Sequence, residues 1–322
     1  MSTFAINERL TLVEVLKRMG PDGDLLTMAE VLDEENAVLE DAVWVKANAK
    51  FTHVSMQRNV LPAGQARDFN AGVLPSATQG ERQEDVIMML EDYSEVDKKL
   101  AMASGDADGY RNQEARGILE GMGQTIAGKI FYGNHLLVSE EMTGFAPRLA
   151  TIDSYSVWDT GGTGSDLSSI FLVQWGEDAC HLIYPEGSTA GLMRENLGQE
   201  TKVLSDGSMY EVLREHFSID VGLVIRNPKC ASRVANIETS GSADTFDEDL
   251  VIKALFKMKG GGRRAVLYVN DTIYAQMVIR AKDKANVNLF WSNAFGEDTL
   301  TFMGRPIRLV DQLVETETAL TT

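Results

Sequence analysis

One stretch limits what this chain can become more than any other: residues 108–133. At helical spacing it puts Ile118, Met122, Ile126 and Ile130 on one face, four residues apart, with Leu119 beside them. A helix of that length runs roughly 35–40 Å at 1.5 Å per residue, about the diameter of a small domain. Four glycines, Gly117, Gly121, Gly123 and Gly128, sit inside it. Each costs about 0.5–1 kcal/mol against alanine in a helix interior, so something must offset the loss. Gly117, Gly121 and Gly128 fall near one side, which predicts the close approach of another backbone there. An ordinary core helix with some poor residues fits the same periodicity, and the rest of the chain has to separate the two.

Residues 50–97 supply the second constraint. Val54, Met56 and Val60 recur at even spacing and read as a strand over residues 51–61. Val86, Met88 and Leu90 alternate with Ile87 and Met89 and read as its return. Between them, residues 62–80 are rich in Gly, Ala and Pro and hold little that forms a core. A connection of that length is uncommon inside a compact domain and signals a lid, a binding loop or an arm. Two strands alone are marginal in water. A first strand spanning roughly 40 Å therefore needs something to lie on, and a neighbouring copy is the natural support.

The flanking segments are ordinary by comparison. Residues 7–19 read as an amphipathic helix stopped by Gly20-Pro21, and the acidic run at residues 33–41 as a solvated face. Residues 170–175 and 181–184 read as buried strands, and residues 210–217 and 222–226 continue the β pattern. From Asp247 a helix places Leu250, Ala254 and Met258 four apart and ends at Gly260-Gly261-Gly262. A buried strand at residues 265–269 follows, then a helix from Thr272 capped by Asn270 or Asp271. Residues 301–310 form a last strand interrupted by Gly304 and Pro306, and residues 315–322 are expected to fray. The class is α+β.

Catalytic chemistry finds little support. No phosphate loop, HExxH or GxSxG string occurs, and the four histidines are scattered. Cys180 and His181 are adjacent on a strand and point to opposite faces, which predicts a buried thiol beside a surface imidazole. Two cysteines without a CxxC fit a reducing compartment, and no metal or cofactor is expected. A net charge of −18, from 48 acids and 30 bases, disfavours general attraction to phosphate backbones.

In order and spacing, several strings together resemble the major capsid proteins of tailed bacteriophages, the short-tailed type especially, which share the Hong Kong ninety-seven fold. They are MLEDYSEVD at residues 89–97, FYGN at 131–134, FAPR at 145–148, VQWG at 173–176, YPEG at 184–187 and FMGRPI at 302–307. The resemblance implies an N-terminal arm over residues 1–45, an extended hairpin loop over 46–97, a peripheral domain over 98–240 with the long helix as its spine, and an axial domain over 241–322. It also implies no enzymatic activity. The expected partners are copies of the chain itself, as pentamers and hexamers, a separate scaffolding protein, a portal and a decoration or cement protein. The shell encloses double-stranded DNA without reading its sequence, in a virion assembled in the host cytoplasm. Residues 62–80 contain no lysine, so no covalent crosslinking through the loop tip is expected. Candidate interface residues are Arg58, Arg67 and Arg82 of the hairpin, meeting Glu34, Glu35, Glu40 or Asp41 of a neighbour. Two rival readings are a bacterial nanocompartment shell of the same fold and an acidic cytosolic enzyme with a pocket near residues 266–272.

Overall fold

The computed structural model describes residues 37–188, 190–241, 243–282, 288–294 and 297–321, with residues 58–60, 290–294 and 297–299 described by backbone alone. The helix expected at residues 7–19 lies outside them, as do Glu34 and Glu35. In chain order the elements begin with helix α1 (Val38–Asp41) and strands β1 (Trp44–Lys46), β2 (Thr52–Val60), β3 (Gln79–Val86) and β4 (Met88–Asp97). Helices α2 (Lys98–Ala103), α3 (Ala107–Tyr132) and α4 (Phe145–Arg148) follow, then strands β5 (Val157–Asp159), β6 (Leu167–Gln174), β7 (Cys180–Tyr184), β8 (Met193–Val203), β9 (Met209–Ile225) and β10 (Ala231–Glu238). Helix α5 (Glu248–Lys257), strand β11 (Ala265–Val269), helix α6 (Asp271–Ala281) and strands β12 (Leu289–Ala294), β13 (Glu297–Phe302) and β14 (Arg305–Leu309) complete the chain.

Two compact units emerge, interleaved in sequence. Among the described residues, the first holds residues 89–126 and 191–220, and the second holds residues 37–88, 127–190 and 221–321. The division thus cuts across the contiguous limits expected at residues 98–240 and 241–322.

In the second unit a seven-stranded sheet runs β12-β13-β14-β11-β6-β10-β5. Every residue of β6 is buried, and the pleat explains why, because each face is covered by something different. Ile170 and Leu172 point to one side and join Val251, Ala254 and Leu255 of α5 and Ile273 and Met277 of α6. On the other side Phe171 meets Phe131 at 5.1 Å between ring centroids and Phe145 at 6.4 Å. Burying each such side chain stabilises by about 1.5–3 kcal/mol. Both helices carry the caps their sequence offers: Asp247 accepts from the Asp249 amide at 2.9 Å and Asn270 from the Ile273 amide at 2.9 Å. The segment read as a last interrupted strand is instead the hairpin β13–β14, because Met303 and Gly304 take positive φ and turn the chain.

At the end of α3 glycine is required for space. A Cβ on Gly133 would sit 2.6 Å from the carbonyl oxygens of Lys129 and Met142, and one on Gly144 would sit 2.7 Å from that of Ile130. The two glycines close onto each other, Gly144 donating to the Gly133 carbonyl at 2.8 Å.

The C-terminal segment is pinned, contrary to the fraying expected from its composition. Glu317 pairs with Leu167 as an isolated bridge, and Ala319 donates to the Gly164 carbonyl at 3.1 Å. Leu320 and Asn236 exchange two hydrogen bonds, at 2.8 and 3.1 Å. Buried beneath, Glu317 accepts from Arg233 at 2.9 Å, Ser169 at 2.5 Å and Tyr132 at 2.6 Å. Burial and the adjacent carboxylate push the Tyr132 phenol well above its ordinary pKa, so it serves as a donor. A tail of polar residues ends frayed by default, and a single buried ion pair reverses that default here.

In the first unit β4 pairs with β9, and β9 with β8. Tyr110 of α3 packs on Val96 and Ala101. Charged side chains brace the strands: Glu215, buried, receives Arg111 at 2.5 Å and Arg194 at 2.7 Å. Glu95 receives Arg214 at 2.6 Å and also pairs with Lys202. Strand β8 went unread in the sequence because its eleven residues are mostly exposed and polar, and β9 runs unbroken through what read as two strands.

Candidate subunit interface

The hairpin exists, with a different return strand. β2 pairs antiparallel with β3, from Thr52 opposite Val86 to Val60 opposite Gln79. The run from Met88 onward, read as the return, is the separate strand β4 of the first unit. The reason is physical. β3 reads QGERQEDV, a strand without an apolar face, and alternation finds only strands that bury one side.

The base of the hairpin is fixed to its own unit. Arg148 donates to Asp85 at 2.6 Å and to the Leu223 carbonyl at 3.0 Å, and Gln57 donates to the Ile225 carbonyl at 3.0 Å. Gly222 leaves the space for this closure, since a Cβ there would meet the Val86 carbonyl oxygen at 2.8 Å. Ile87, Ala47, Ile183 and Val224 form a small buried cluster beneath.

His181 is also here, and it is buried rather than on the surface. Its neighbour Cys180 is buried as well, because both faces of β7 are covered. The His181 ring stands edge-on to His53 of β2, centroids 6.0 Å apart, and neither of its nitrogens has a hydrogen-bond partner among the described residues. Burial holds both imidazoles below the ordinary histidine pKa; nearby Arg226 pushes the same way, and Asp85 opposes. A folded-state pKa below the unfolded one means that the unfolded chain binds protons first as pH falls. Stability contributed here is complete above about pH 6.5 and declines as pH drops toward the folded-state values. A His181→Leu subunit should show a flatter loss of stability in urea melts between neutral and mildly acidic pH than the parent.

Beyond the base, residues 61–80 are exposed at every position. Phe69 is 96% exposed, and Leu61 and Leu74 are more than 70% exposed. The hydrogen bonds there are local: Arg67 donates to the Ala71 carbonyl at 3.2 Å, and Ala71 to that of Asp68 at 3.2 Å. Among the described residues nothing packs against those side chains.

A second unfilled surface lies in the first unit, along the glycine face of α3. Among the described residues nothing stands within 4 Å of a Cβ built on Gly117 or Gly121. Gly117, Ile118, Gly121, Met122 and Thr125 instead line one wall of a groove of about 450 Å³, with Leu90, Glu91 and Asp92 of β4 opposite.

The other candidates fall as follows. Arg82 is exposed and lies 3.4 Å from Glu84, the Arg58 backbone pairs with Gly80, and Glu40 is exposed on α1. Asp41 accepts from Tyr268 at 3.0 Å and Arg308 at 3.2 Å within the second unit. Sequence reasoning missed the groove because only the glycines, not the strand opposite, were visible as unusual. No group of three or more His, Cys, Asp or Glu able to hold a metal ion occurs among the described residues.

Comparison with known proteins gives these surfaces a context. A profile of the family described as Major capsid protein GP7 matches residues 20–321. Comparison with curated protein sequences finds no match. Among solved structures, a chain of Bacteriophage Epsilon15 is 28% identical and superposes with a TM-score of 0.75, both chains covered in full. The Bacteriophage JBD30 capsid is 12% identical with a TM-score of 0.53, over 88% of this chain and 93% of that one, a likeness of fold. The holo-SrpI encapsulin complex from Synechococcus elongatus PCC 7942 is 9% identical with a TM-score of 0.47, over 76% of this chain and 100% of that one. The α+β architecture is that of the Hong Kong ninety-seven fold, and a family match across nearly the whole sequence decides the rest. This chain is a phage shell protein, belonging to the major capsid protein GP7 family.

Proposed function

We propose that the shell closes because each hairpin, residues 58–80, lies across an adjacent copy and fills the glycine groove of that copy's α3. The observation that carries this reading is a pair of matching vacancies: a tip with exposed Phe69 and Leu74, and a helix face on which nothing among the described residues stands against Gly117 and Gly121. Arg58, Arg67 and Arg82 are well placed in the sequence of the hairpin to meet Glu34, Glu35 or Glu40 of the neighbour, each exposed pair contributing about 0–1 kcal/mol. Repetition of a small complementary contact sets geometry more than strength.

On this reading residues 98–240 serve as the peripheral domain and residues 241–322 as the axial one, arranged in pentamers and hexamers around DNA held without base-specific contacts. A separate scaffolding protein, a portal and a decoration or cement protein are the expected partners, with assembly in the host cytoplasm. The test is Gly121→Leu. In the isolated subunit it should be neutral or stabilising by about 0.5–1 kcal/mol, since leucine is the better helix former and nothing crowds the site. In assembly it should abolish closed shells seen by sedimentation. Normal shells from the Gly121→Leu chain would remove the groove from the interface.

A further inference from the structure

The second unit carries two more surface features that nothing among the described residues covers. The first is the turn after α3. Leu136 and Leu137 are 90% and 81% exposed, beside an exposed Glu140 that has no partner among the described residues. The turn is rigid all the same. Leu137 and Val138 donate to the Asn134 carbonyl at 3.1 and 2.9 Å, and Glu141 donates to that of Val138 at 3.1 Å. Glu141 also accepts from the Asn134 amide at 3.2 Å and pairs with Lys129, which holds its carboxyl below the usual range. Two leucines held out on a braced turn are an apolar knob that water solvates poorly.

The second feature is a cleft of about 540 Å³ floored by Gln174, Trp175, Ala179 and Cys230 and rimmed by Lys259, Arg263 and Arg264. Those three cations are exposed and have no carboxylate partner among the described residues, on a chain whose net charge is −18. The rim is set by the glycine turn after α5: Gly260, Gly261 and Gly262 all take positive φ, and Arg305 clamps the turn by donating to the Gly261 and Gly262 carbonyls at 2.7 Å each.

We propose that the knob of one copy seats in the cleft of the next, with Leu136 and Leu137 against Trp175 and Ala179 and Glu140 against the Arg263–Arg264 rim. The contact joins two different patches, so it is heterologous, and repeated by rotation it generates a closed ring. A nucleic-acid duplex fits this cleft less well: it is concave, and Glu177 and Asp178 share its lining. The inference rests on the assembly reading above, but uses neither the hairpin nor the glycine groove.

Charge exchange tests it. Glu140→Arg alone, and Arg263→Glu with Arg264→Glu, should each lower the yield of closed shells at least tenfold while leaving the subunit's melting curve in place. The triple variant should recover most of the yield. Normal assembly of either single-sided variant overturns the proposal, as does failure of the triple variant when each half is folded. Normal shells that hold less DNA in the Arg263→Glu, Arg264→Glu variant would assign the cleft to nucleic acid and overturn it too. A second measurement stands apart from shell formation. Copies with Leu137→Cys mixed with copies with Ala179→Cys, both in a Cys230→Ala background because Cys230 lines the cleft, should form covalent dimers on copper-catalysed air oxidation. If the parent chain made no shells, the assembly reading would fall, whereas absence of these dimers would sink the docking itself.

Discussion

Replacing Glu317 by alanine should destabilise the subunit by about 3–5 kcal/mol, the usual cost of stranding one member of a buried ion pair. Arg233 and Glu317 side chains are 5% and 7% exposed. Removing the carboxylate leaves the Arg233 guanidinium, among the described residues, with Ser169 at 3.0 Å, the Leu149 carbonyl at 3.0 Å and the face of Phe171 to hold its charge. It also takes the carboxylate from the Tyr132 hydroxyl, while the backbone bond from residue 317 to the Leu167 carbonyl stays in place. Replacing both partners with apolar residues of similar volume, Arg233→Met with Glu317→Leu, should recover most of the loss, because no charge is then left buried. Denaturant unfolding of the unassembled subunit measures both. A loss below about 1 kcal/mol for Glu317→Ala would mean water or tail movement rescues the arginine, against the burial found here.

Deleting residues 63–78 and joining β2 to β3 through a short Gly-Ser turn should have the opposite profile. The subunit should melt as before, because among the described residues the hydrogen bonds of that segment are local and shortening a loop costs little closure entropy. Shell formation should disappear. Phe69 and Leu74 each forfeit burial worth about 1.5–3 kcal/mol at every copy, and a closed shell repeats that loss over its whole surface. Sedimentation separates the outcomes, since free subunits and shells differ greatly in size. Full-yield shells from the deleted chain would take the hairpin out of assembly.

The residues that were legible in advance are those that bury one face at a regular period. α3 is observed at Ala107–Tyr132 where apolar spacing put it, and β6, β11, α5 and α6 lie close to their expected places. Elements that bury neither face in one subunit left no period to read, which is why β3 and β8 were missed. Glu317 misled for a related reason, since its burial depends on Arg233, 84 residues away, and no local pattern encodes that pairing. The glycines of α3 were legible as a vacancy, but not what fills it; the same holds for the exposed side chains of the tip. Sites completed only by another copy leave residues that look wasteful for the fold of one chain.

The most direct test of that idea is a cryo-EM map of the assembled shell at side-chain resolution. Phe69 and Leu74 should be ordered and covered by an adjacent copy, beside its α3 at Gly117 and Gly121. A map that shows the tip in solvent, or lying on its own subunit, would contradict the account.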